Sequence, residues 1–153
     1  MLYILYFGFW AVLALFCWCV WRSGGASERW AAGMMAFAAL FTPFIGGAFN
    51  THWHAPQLGV LAVDSMLLLG LLALALRSHR FWPMSVASFQ IVAVLSHPAL
   101  WIDTTILPFG YALMQGFWAY PMMALVLIGA RRHDQKRRSR HEWNVEAGRG
   151  SAA

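Results

Sequence analysis

Residues 50–80 read NTHWHAPQLGVLAVDSMLLLGLLALALRSHR, and this stretch decides the fold. Beyond Pro56 it holds an apolar run long enough to cross a bilayer as a helix, for which about 20 residues suffice. One acid, Asp64, interrupts that run. An ionisable side chain at membrane depth costs about 2.5–3.5 kcal/mol even on lenient insertion scales, so its presence calls for a reason. A turn with His52 and His54 precedes the run, and Arg77 and Arg80 follow it.

The rest of the chain repeats the pattern. Of 153 residues, 60% are hydrophobic and 11% charged. A soluble domain carries roughly 25% charged residues to cover its surface, which excludes an ordinary water-soluble fold. The expected fold is an all-α integral membrane protein, a bundle of five transmembrane helices over residues 2–21, 30–49, 57–76, 83–102 and 108–130. These form one domain, 1–130, followed by a basic, partly disordered tail, 131–153, in which the last helix continues for a few turns and frays near Gly148. Met1 leads directly into the first run with no basic segment, which does not resemble a signal peptide. Ser27 is an N-cap candidate for the second span. Pro56, Pro83 and Pro108 stand just ahead of the third, fourth and fifth, where a missing N–H costs nothing. Ala32 and Ala36 have the small-residue spacing that lets helices approach closely in lipid. Pro43 and Pro98 are expected to release the carbonyls of Ala39 and Val94. Cys17 and Cys19, two apart on one helix, point in different directions and read as small buried hydrophobes.

Orientation follows from the basic residues in the turns. The first and third turns carry Arg22 with Arg29 and Arg77 with Arg80, the second and fourth carry none, and seven of the 11 Lys and Arg follow Ala130. The N-terminus is therefore placed outside and the C-terminus in the cytoplasm. Trp21, Trp30 and Trp82 then fall at the inner interface, with Trp53 and Trp101 at the outer one. Ten of the 11 basic residues are Arg, which fits a GC-rich bacterial genome and hence a bacterial inner membrane. Arg131, Arg132, Lys136, Arg137, Arg138 and Arg140 sit where anionic lipid headgroups are bound, at about 1 kcal/mol per charge. A docking tail for a cytoplasmic partner is the other reading of this cluster. No folded nucleic-acid module accompanies it, so nucleic acid is not an expected partner. His133 and His141 read as solvated.

With this topology, a rise of about 1.5 Å per residue places Asp64, His97, Gln115 and Thr42 in one layer of the outer leaflet. His52, His54 and Asp103 lie above it, and the cytoplasmic half has no comparable layer. Gln90 and His97 share a face of the fourth span, as Tyr111 and Gln115 do in the fifth. The residues Asp64, His97, Gln115, Thr42, Gln90 and Tyr111 are thus candidates for binding a proton or small ligand, since imidazole titrates near neutral pH and a nearby carboxylate can share its proton. The plainer reading is a buried pair that holds helices in register. His52, His54 and Asp103 offer the imidazole and carboxylate donors a divalent metal takes, although an interfacial turn is the plainer account of them. Haem, which is usually ligated by histidines on facing helices, is not favoured.

Two function classes follow. One is a polar site for a ligand, proton or metal ion, serving sensing or transport. The other is a non-catalytic accessory or scaffold subunit of a larger membrane complex, with a membrane-protein partner or a second copy of the chain alongside. No phosphate loop, nucleophile elbow or zinc-protease motif occurs, and no nucleophile with a partner base can be named, which argues against an enzyme.

Overall fold

The computed structural model describes residues 2–49, 58–78, 80–97 and 117–150, and every regular element among them is a helix. In chain order these are α1 (Leu2–Ser23), α2 (Ala26–Phe49), α3 (Leu58–Arg77), α4 (Phe81–Ser96) and α5 (Ala119–Gly150). Two segments, Tyr6–Ser23 and Leu58–Arg77, are long and apolar enough to cross a membrane; the described part of α4 is a shorter apolar helix.

The elements begin and end where local chemistry allows. α1 is an uninterrupted run of Leu, Ala and aromatic residues that stops at Gly24-Gly25. These glycines permit close approach: a Cβ on Gly24 would stand 2.5 Å from the Val20 carbonyl oxygen. α2 starts at Ala26, four residues earlier than expected, so Ser27 lies inside its first turn together with Glu28. A helix N-terminus favours an acidic side chain there. α2 also continues as helix through Pro43. α4 begins at Phe81, which places Pro83 in the first turn, where proline is tolerated. α5 is the longest element at 32 residues, carrying on through the basic tail to Gly150.

The helices close into a ring. Each packs on its neighbour in sequence, α5 returns to α1, and α5 also reaches α2 across the interior. The core consists of Leu13, Phe16 and Val20 from α1, Ala31, Ala32 and Met35 from α2, Leu71 from α3, Val86 and Ala87 from α4, and Met122, Met123, Val126 and Ala130 from α5. The spacing Ala31, Ala32, Met35, Ala38 is one face of a helix, and its small side chains let α2 sit close to its neighbours. Trp82 packs on Gly129, its indole lying where a Cβ of that glycine would stand. Its indole N–H is buried without a partner among the described residues, so this tryptophan contributes to helix packing at the start of α4. Larger side chains face outward: Phe7, Leu15, Phe44, Met66, Leu69 and Leu95 are all exposed.

Candidate functional site

Asp64 lies in the second turn of α3 and His97 caps the C-terminal end of α4. Their side chains meet: His97 Nε2 is 2.8 Å from Asp64 Oδ2. When the imidazole is neutral, Nε2–H donates and the carboxylate accepts; on protonation the same contact becomes a charge-assisted bond between opposite charges. Gln90, two turns before His97 on the same face, donates from Nε2 to the backbone carbonyl oxygen of Asp64 at 3.1 Å. Gln90 and His97 are nearly fully buried, while Asp64 keeps 17% of its side chain exposed. One residue of α3 is therefore gripped at both its backbone and its side chain by two residues of α4. The exposed fraction of the pair thus lies on the Asp64 side chain and not on the imidazole.

The end of α4 shapes this arrangement. Pro98 cannot donate to Val94, as expected, but the Val94 carbonyl is not left open: it accepts the His97 N–H at 3.2 Å, tightening the last turn. The Ser96 hydroxyl likewise donates to the Ala93 carbonyl at 2.6 Å. These bonds hold the backbone on which the imidazole sits.

The other candidates divide into those that are placed and those that are not. The Thr42 hydroxyl donates to the carbonyl of Ala38 at 2.8 Å, one turn back in its own helix. Gln115, Tyr111, His52, His54 and Asp103 lie outside the described residues. Among the described residues no group of three or more metal-ligating side chains comes together. Arg131, Arg132, Lys136, Arg137, Arg138 and Arg140 are exposed along α5, with Arg138 bonded to Asp134 at 3.0 Å.

A second polar cluster, absent from the sequence reading, lies at the end of the bundle that carries the arginine turns. Glu28 is fully buried in the first turn of α2 and forms an ion pair with Arg80, the residue before α4. Its second oxygen, Oε2, is buried with no hydrogen-bond partner among the described residues. His133, on α5, is partly buried beside Gly25 and is not the solvated residue expected. The cluster escaped notice because residues 22–29 read as a turn, where an acid between arginines is unremarkable. The available signal was Glu28 at the third helical position after a Gly-Gly pair.

No protein-family model, curated protein or solved structure matches this chain.

Proposed function

We propose that the chain is a multi-pass inner-membrane protein of five spans, with its N-terminus outside and its C-terminus in the cytoplasm, whose Asp64–His97 pair binds a proton, small ligand or metal ion for sensing or transport. The observation that carries this reading is the 2.8 Å contact between a carboxylate and an imidazole set into apolar helix walls. Intramembrane ionisable groups are costly and mark functional pathways more often than packing alone would require. The membrane assignment is supported by the outward-facing Phe, Leu and Met side chains around a core of small and medium residues, an arrangement that water would penalise.

Elemental and small-molecule analysis of the purified full chain, together with infrared titration of its carboxyl groups, tests the reading. Asp64→Asn and His97→Gln should insert at normal abundance while losing the bound species or the titrating carboxyl band. If both variants merely lose abundance in the membrane, the pair serves packing and the proposal fails.

The Gln90 bond to the Asp64 carbonyl favours a second reading. A side-chain amide on a backbone oxygen does nothing for ligand exchange and simply fixes α3 against α4. On this reading the chain is a non-catalytic accessory or scaffold subunit. Mild detergent extraction should then recover a stoichiometric membrane partner, and a lone monomer would count against it.

A further inference from the structure

The buried Glu28 carboxylate has a job the outer pair does not explain. Among the described residues Arg80 engages Oε1, and Oε2 is buried without a donor. A carboxylate oxygen in that position is costly unless a proton or a donor can reach it. A side chain able to supply one, His133, stands close by. A Cβ on Gly25 would stand 2.9 Å from His133 Nε2 and 3.0 Å from Glu28 Oε2. The two atoms thus flank one point, no farther apart than about the reach of a single bridging water, and a side chain on Gly25 would fill the space beside both.

We propose that Glu28 and His133 form a proton-binding site at the basic end of the bundle. The imidazole takes up a proton from solvent and, as imidazolium, donates its Nε2–H to Glu28 Oε2, latching the start of the tail helix onto α2. The proton stays on nitrogen, so no other reactant is needed. The site is independent of Asp64 and His97.

The surrounding charges leave this pairing as the adjustable one. From α4, Arg80 is committed to Oε1. On α2 itself, Arg29 turns away to the Trp21 carbonyl at 2.9 Å and the Trp21 ring. Arg22 at the end of α1 lies over Trp18, and Arg77 at the end of α3 is exposed. On α5, Arg131 and Arg132 are exposed and Asp134 is bound to Arg138. His133 supplies the one imidazole of this set, the side-chain type whose ordinary titration lies near neutral pH.

The tail itself reports the latch. In the full chain in bilayer discs, amide hydrogen exchange over residues 131–136, corrected for intrinsic rates, should be roughly tenfold slower near pH 5 than near pH 8, the gain of a charge-assisted bond. Glu28→Gln and His133→Gln should each abolish that difference. Because Glu28→Gln also strips Arg80 of its partner, His133→Gln, which leaves the Glu28–Arg80 pair intact, decides the matter if the former does not fold. Equal protection at both pH values in the unaltered chain overturns the proposal, as does a pH dependence that survives His133→Gln.

Discussion

Gly129 and Gly33 are both glycines in the middle of helices, yet substitution should move them in opposite directions. A Cβ on Gly129 would lie 2.9 Å from Trp82 Cδ1 and Nε1, atoms of a rigid, half-buried ring. Gly129→Ala should therefore destabilise by about 1–3 kcal/mol, the range for overpacking. Nothing stands within 4 Å of a Cβ on Gly33, so Gly33→Ala should stabilise by up to about 1 kcal/mol through helix propensity. Thermal unfolding in detergent micelles measures both. Arg80→Ala tests the basic-end ion pair by stranding Glu28 in the interior. The loss should be on the order of 2 kcal/mol, below the range for fully buried pairs because Arg80 is itself half-exposed and solvent-screened. The same assay reads it, and no loss would mean that water reaches Glu28.

Helices α3 and α4 form the unit on which the candidate site depends. Gln90→Leu removes one bond between them and keeps the apolar bulk. Polar contacts between helices in a membrane are worth about 0.6 kcal/mol on average, so stability should fall by no more than that. A larger fall would mean that the amide fixes the backbone around Asp64. The pairing of Asp64 with His97 was legible in part. Charge alternation and helical rise put both residues at one depth, and seven-residue spacing put Gln90 and His97 on one face. What spacing could not supply was which face of α3 meets α4, because α3 is apolar nearly all round and its periodicity points nowhere. The elements themselves were easier to read, since long apolar runs bounded by arginines, glycines and prolines admit few alternatives. Glu28 stayed hidden for the opposite reason. Its neighbours Arg22, Arg29 and Gly24-Gly25 all signal a surface turn, and only tertiary packing of Arg80 and α5 against it turns that surface into an interior.

At the scale of the whole molecule, every arginine-bearing turn and the start of the basic tail gather at one end of the ring, where Glu28 meets Arg80 and Gly25 meets His133. The proposed topology puts that end in the cytoplasm. A reporter fused after Ala153 that is active only in the cytoplasm should be active, and activity of one that works only outside would reverse the assignment. The ring also sets an order of assembly. Helices α2 to α4 each lean on the helix made just before, and among the described residues the last helix, α5, packs on both α1 and α4 and so spans the seam between them. Val20, Met35 and Val86, from α1, α2 and α4, share one core with Met122, Met123 and Val126 of α5, so that core is incomplete without the last helix. The helix that completes the core is thus the one whose trailing end holds seven of the 11 basic residues, so the segment that orients the chain in the proposed topology is also the one that closes its interior.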